Sequence, residues 1–317
     1  MNIVVTGGAG FLGSHLCDRL INDGHEVWCI DNLITGYRKN IAHLEGNGKF
    51  HFLELDICRE LPDLPKIDQI YHLASPASPN IHNAKSYIAL GFETMQVNTN
   101  GTGKMAELAV FHNAALLYTS TSEIYGDPIE HPQKETYRGN VSTTGPRSVY
   151  DESKRFGETI VAAFVRRRGL NGRIVRIFNT YGPGMAPDDG RVVTEFIGAA
   201  KAGTPLQIFG DGSQTRSFCF VSDLIEGLIR VMNAPDIAGE IFNLGNPGEF
   251  TIRELADMIV KLTGTSSPVI SKEPLPTDDP LKRRPDITKV KEKLGWEPTV
   301  SLEEGLKKTI AAFEPKG

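Results

Sequence analysis

The sequence predicts an α/β protein, a doubly wound parallel sheet with a smaller mixed α/β lobe toward the C-terminus. Three observations carry this reading. An apolar strand at the N-terminus runs straight into a glycine-rich turn and an amphipathic helix. Strand-like apolar runs then alternate with helical stretches as far as residue 178, and beyond it the chain turns rich in Gly, Pro and Asp. Strands separated by helical crossovers pair in parallel, with the helices covering both sheet faces.

The elements follow in order. Asn2-Ile3-Val4-Val5-Thr6 is a run of buried-strand type. Gly7-Gly8-Ala9-Gly10-Phe11-Leu12-Gly13 comes next and fits G-x-G-x-x-G from Gly8 or G-x-x-G-x-x-G from Gly7. Such glycines allow a tight turn, close approach to a pyrophosphate and close packing of helix on strand. The helix that follows, with Leu16, Leu20 and Ile21 on its apolar side, aims its N-terminal N–H groups at the phosphates and ends at Gly24. The second strand, residues 26–30, ends at Asp31 and Asn32. A carboxylate there accepts from a ribose 2′-OH and repels a 2′-phosphate, which favours NAD over NADP. The other reading of Asp31 is a plain turn residue.

Residues 50–55 read as a third strand, leading to Asp56 and Ile57 beside the adenine. Residues 69–74 are the fourth, and its end at Leu73, Ala74 and Ser75 should face the cofactor. Residues 115–120 are the fifth, running into Thr121-Ser122-Glu123, and residues 173–178 are the sixth. This Rossmann-type unit is expected to span 1–178, with a late return at about 217–246. Residues 179–216 and 247–317 should form the substrate lobe. Within them, 179–190 reads as a loop over the site, 193–202 as a helix, 241–245 as a late strand, and 252–262 as a helix capped by Thr251.

Composition removes several function classes. The chain has 317 residues and a net charge of −5, with no basic footprint for nucleic acid. No apolar run is long enough to span a bilayer, and a strand starting at Asn2 leaves no room for a signal peptide. Cys17, Cys29, Cys58 and Cys219 show no C-x-x-C spacing and no nearby histidine pair. The expectation is a cytoplasmic protein with reduced thiols and no metal site.

The residues that carry chemistry are Thr121, Ser122, Glu123, Tyr150 and Lys154. Of the eight tyrosines only Tyr150 has a lysine four residues on. Both lie in a helical stretch, 150–168, with Phe156, Ile160, Phe164 and Val165 as its apolar stripe. Residues four apart share a helix face. Lys154 and a cationic nicotinamide are therefore expected to lower the Tyr150 phenol from its ordinary range near 10 and make it a usable base.

The glycine-rich start, the strand end T-S-E-I-Y-G and the helix start Y-D-E-S-K-R resemble the extended short-chain dehydrogenase/reductase family, which acts on nucleotide sugars. Further stretches match its uronic-acid decarboxylating branch: Leu73-Ala74-Ser75-Pro76-Ala77-Ser78-Pro79, Arg176-Ile177-Phe178-Asn179-Thr180-Tyr181-Gly182-Pro183, Gly210-Asp211-Gly212-Ser213-Gln214-Thr215-Arg216 and Arg283-Arg284-Pro285-Asp286-Ile287. The likeness runs from Met1 to about Trp296. It implies NAD-dependent decarboxylation of a nucleotide-sugar uronic acid, UDP-glucuronate to UDP-xylose, through a 4-keto intermediate. It also implies that Tyr150 is the base, that Thr121 holds the C4 oxygen, and that Ser122, Glu123 and Arg283 line the C5/C6 side. Arg191 would touch the cofactor, and Asn179, Val193, Arg216 and Arg283 the substrate. Arg283-Arg284-Pro285 also reads as a turn salt-bridged to Asp278 and Asp279. Family members are usually homodimers that pack the Tyr150 helix and its neighbour against a partner.

The alternatives are a nucleotide-sugar 4,6-dehydratase or 4-epimerase on the same fold, and, in another class, a non-catalytic dinucleotide-sensing module. Dehydratases of the family carry Asp where Ser122 stands, and the 4-epimerases usually lack the glutamate at position 123. The chain departs from the decarboxylase pattern at Gly184, Gln96 and Lys104, and 78–93 is longer than expected.

Overall fold

The computed structural model describes residues 1–272 and 282–314. Strands β1 (Asn2–Thr6), β2 (Glu26–Asp31), β3 (Phe50–Glu54), β4 (Gln69–His72), β5 (Ala115–Thr121) and β6 (Asn171–Ile177) alternate with α1 (Phe11–Asn22), α2 (Gly91–Gln96), α3 (Thr102–His112) and α4 (Ser148–Arg168). The short strands β7 (Thr180–Tyr181), β8 (Leu206–Phe209), β9 (Thr215–Ser217) and β10 (Cys219–Phe220) come next, with α5 (Val192–Ala202) among them. Helix α6 (Val221–Asn233) then returns the chain to β11 (Ile241–Leu244). The main sheet has seven strands in the order β11-β6-β5-β4-β1-β2-β3. Every pairing in it is parallel. Strand order reverses at β1, and the crevice at the carboxyl ends of the strands there is where open sheets bind ligands.

Both faces of the sheet are covered. On one, Leu16 and Leu20 of α1 share a core with Val5, Cys29 and Leu224 of α6. On the other, Met105 and Ala109 of α3 and Val161 of α4 pack on Ile30, Ile70 and Leu116. The smaller lobe joins β12 (Glu249–Thr251), β9 and β14 (Lys282–Arg283) in one sheet and pairs β8 with β13 (Val269–Lys272) in another. Helices α7 (Ile252–Thr263), α8 (Thr288–Leu294) and α9 (Leu302–Ala312) complete it. Thr251 caps α7 in a reciprocal box with Glu254.

The boundaries differ from the sequence reading in informative ways. Strand β4 stops at His72, so Leu73 to Ser75 turn across the strand ends. Gly24 is not the cap of α1: Asp23 is, and Gly24 follows at φ +85°. The stripe expected to bury α4 holds only in part: Phe164 and Val165 pack against the core. Its inner side is Tyr150, Asp151, Ser153, Lys154, Gly157 and Val161, while Phe156 is 55% exposed. The reason is close packing: a Cβ on Gly157 would stand 2.2 Å from the Tyr118 hydroxyl. Small and polar side chains face the sheet at the start of the helix, and the apolar stripe reaches the core only at Phe164 and Val165.

Helix α4 is also pinned to β6 by a buried fork. Arg176 donates from Nε to Glu158 Oε1 at 2.9 Å and from Nη2 to Oε2 at 2.8 Å. Ser120 at the end of β5 donates to the same Oε1 at 2.6 Å.

Candidate active site

The glycine turn makes the floor of a 310 Å³ cavity at the strand ends. Gly7 sits at φ +72°, and a Cβ on Gly13 would fall 2.1 Å from the Gly7 carbonyl oxygen, so no larger residue fits this approach of helix to turn. Gly10 precedes α1 without a side-chain cap. The first N–H groups of the helix are thus left for a ligand.

The residues expected at a dinucleotide line this one cavity. Gly7, Gly10, Phe11, Leu12 and Gly13 form its base, Asp31 and Asn32 one wall, and Asp56 and Ile57 the far end. Leu73, Ala74 and Ser75 lie opposite, and Tyr150, Lys154 and Arg191 close the other end. A glycine floor, a carboxylate at the second strand end and a phenol–ammonium pair at the opposite end fit an elongated NAD molecule. Asp31 does more than the sequence suggests. Its carboxylate accepts from Ala9 N at 3.0 Å and Leu33 N at 2.8 Å, tying the turn to the following loop.

The catalytic candidates meet at the Tyr150 end. Thr121, Ser122, Glu123 and Asn179 line the cavity with Tyr150 and Lys154. Lys154 Nζ donates to the Thr119 carbonyl at 2.8 Å and lies 5.9 Å from the Tyr150 ring centre. Burial lowers its ammonium to about 7, with Glu158 pulling the other way. The expected lowering of the Tyr150 phenol is not what this protein environment produces. Burial raises it, Glu123 raises it further, and a hydrogen bond with Thr121 only partly opposes them. Among the charges acting on the phenol the Glu123 carboxylate is foremost, while Lys154 is turned onto a carbonyl.

Glu123 is the electrostatic centre. Arg147 Nη2 donates to its Oε2 at 2.7 Å, and Tyr87 donates to the same oxygen at 3.2 Å. Arg283 Nη1 stands 3.9 Å from Oε1. Burial works against the charge, but Arg147 and Arg283 outweigh it and hold the carboxyl down to about 2. The Tyr87 ring stacks on Tyr150 at 4.6 Å with 8° between planes. Sequence reasoning missed Arg147 and the buried Asp151, and saw Tyr87 only as part of an unusual stretch. The available signal was position: Arg147 lies one turn before Tyr150, and Asp151 directly after it.

Two expected substrate residues stand apart. Val193 is buried in α5 and lines neither the main cavity nor a second one of 320 Å³ that contains Arg147, Asp151 and Arg283. Arg216 is likewise absent from both walls; it is buried in β9, opposite Arg283 in register, and donates to the Thr215 carbonyl at 2.9 Å. The Val193 side chain belongs to the main apolar core. Asp278 and Asp279 lie outside the described residues. Gly184 and Gln96 line the main cavity, whereas Lys104 turns away to the Arg59 carbonyl at 2.9 Å.

Two loops tie over the cavity. Asn83 Nδ2 donates to the Asp188 carbonyl at 2.7 Å and Arg191 Nη2 to the Ala77 carbonyl at 2.9 Å. Ser78 donates to the Asp189 carbonyl beside them.

Known proteins share this arrangement. UDP-glucuronic acid decarboxylase 1 of Arabidopsis thaliana is 50% identical over 313 residues, which cover 99% of this chain and 70% of that protein. The structure of UDP-glucose 4-epimerase from Thermotoga maritima, solved with UDP-glucose, superposes with a TM-score of 0.87 at 32% identity, covering 98% of each chain. UDP-glucuronic acid 4-epimerase from Bacillus cereus, solved with UDP-glucuronic acid and NAD, gives 0.85 at 30% identity, again covering 98% of each chain. Residues 3–245 match one family as a whole. With its glycine floor, its tyrosine–lysine helix and its seven parallel strands, the chain belongs to the NAD dependent epimerase/dehydratase family.

Proposed function

We propose that the protein decarboxylates UDP-glucuronate to UDP-xylose with NAD as a resident cofactor. One observation carries the reading: Ser122 and Glu123 stand beside Tyr150 in the cavity, where a dehydratase would present an aspartic acid. A serine hydroxyl does not readily supply the proton needed to expel water, whereas loss of carbon dioxide needs none. The relative named for this reaction, matched along nearly the whole chain, supports it.

Bound NAD⁺ supplies the hydride acceptor, and later the donor, for C4 of the sugar. Tyr150 takes the C4 hydroxyl proton, and Thr121 holds the C4 oxygen. The C4 ketone is then β to the C6 carboxylate, so the electrons of the breaking C5–C6 bond flow into an enolate. Arg283, which reaches Glu123 from the wall of the second cavity, would hold the departing carboxylate. A bound nicotinamide cation would favour the Tyr150 phenolate that burial and Glu123 oppose.

Incubation with UDP-glucuronate and NAD⁺ is expected to release carbon dioxide and leave a nucleotide pentose, identified by mass. A retained hexose, dehydrated or inverted at C4, would replace this reading with one of its rivals.

The reading extends to assembly and location. Phe92 of α2 and Phe156 of α4 are 80% and 55% exposed. Apolar side chains on this helix pair suit a homodimer built across α4. Sedimentation is expected to give a dimer that Phe156→Asp converts to monomer; a monomeric parent would end the proposal. All four cysteines are free, in keeping with a reducing, cytoplasmic setting. Among the described residues no helix is long and apolar enough to cross a membrane.

A further inference from the structure

Asp151 has no part in the chemistry described so far, yet it is 6% exposed and follows Tyr150 on the inner side of α4. Arg147 and Arg283, which both reach Glu123, line one cavity wall with Asp151. Its Oδ1 is buried without a donor partner. Glu123 lines the main cavity, while Asp151 lines the second one, whose wall also contains Arg147, Arg283 and exposed Ser142. The two carboxyl groups therefore bridge the reaction space and a separate opening toward solvent.

Two buried carboxyl groups that share one pair of arginines do not both ionise, so the pair holds one proton. The arginines decide where it rests. Arg147 at 2.7 Å and Arg283 at 3.9 Å both reach Glu123 and favour its charge. Burial and the charge on Glu123 push the Asp151 carboxyl well up. The proton thus sits on Asp151, behind an ionised Glu123.

We propose that Asp151 is the proton reserve of the site, through which Glu123 reprotonates C5 of the sugar after carbon dioxide has left. The proposal rests on the function read above. Loss of carbon dioxide leaves the electron pair of the C5–C6 bond in the enolate of the C4 ketone. Glu123 takes the proton held by Asp151 and passes it on, so that the electron pair forms the new C5–H bond and Glu123 is left ionised as before. The C4 ketone is restored, and water in the second cavity reprotonates Asp151. One proton replaces one carbon dioxide, with no oxidant or reductant involved. Asp151 acts through Glu123 and is a positioning residue.

The test is Asp151→Asn, which keeps the shape but cannot pass on a proton. Single-turnover carbon dioxide release, absorbance of reduced nicotinamide, and pentose formation are followed in H2O and D2O. Pentose formation is expected to fall about 10²-fold further than carbon dioxide release, the scale of a lost proton donor. Reduced nicotinamide should accumulate, and the solvent isotope effect on pentose formation should grow. A purely structural role would slow all steps together, and that result, or wild-type ratios, would overturn the reserve.

A second measurement uses the unaltered protein and so does not depend on the variant folding. UDP-xylose incubated with enzyme and NAD⁺ in D2O should exchange one C5 hydrogen, at one of the two C5 positions only. No exchange, or exchange at both, counts against the pair. If the unaltered protein releases no carbon dioxide from UDP-glucuronate, the functional reading falls and takes the proposal with it. Release with an indifferent Asp151→Asn removes the proposal alone.

Discussion

Tyr150→Phe is expected to lower turnover by about 10²–10⁴-fold, the range for loss of a positioned general base. The change should isolate the hydroxyl. The ring lies flat on Tyr87 at 4.6 Å, and a phenylalanine ring fits the same slot. Lys154 keeps its bond to the Thr119 carbonyl, which does not involve the phenol. NAD affinity should therefore hold while kcat falls. The loss should be seen in hydride transfer itself, since both burial and Glu123 resist a phenolate and only a correctly placed cation and hydrogen bond can offset them. Turnover within a few-fold of the parent would take the base assignment away from Tyr150.

Arg176→Met is expected to cost about 3–5 kcal/mol of stability, the usual penalty for removing one partner of a buried ion pair. Arg176 and Glu158 side chains are 8% and 12% exposed, so water cannot take over the abandoned carboxylate. The same guanidinium also donates to the Tyr125 hydroxyl at 2.9 Å and the Glu135 carbonyl at 2.8 Å. Its loss therefore removes a donor from three groups on three segments. Denaturant titration should show a markedly lower midpoint. Arg176 and Glu158 touch neither cavity wall, so the residual folded protein should still bind NAD. A midpoint close to the parent would mean that the fork adds nothing to stability.

Much of the architecture is legible in the residues themselves. The glycine spacing, the acidic strand end at Asp31 and the apolar strands are local signals, and local geometry follows from them. The start of α4 is legible for the same reason, because Tyr150 and Lys154 are one helical turn apart. What escapes is set by distant partners. The inner face of α4 is chosen by Tyr118 and Gly157, and no periodicity within the helix announces it. Tyr87 reaches Glu123 from across 36 residues and Arg147 from across 24. Neither has a motif around it. The phenol was misjudged because spacing gives the proximity of Lys154 but not the direction of its ammonium. The place of Ser122 directly after β5 is legible, since the strand run itself points to it.

The bonds among Ala77, Asn83, Asp188 and Arg191 bear on timing. A sugar stripped of its acid and oxidised at C4 is a reactive ketone that must stay until the electrons lent at the outset come back. With the two straps buttoned, departure is expected to be slower than that return, so that each molecule started is finished. Loosening them trades a complete product for a leaked one. The ratio of xylose to free ketone leaving the protein is in this sense a gauge of how long the door stays shut.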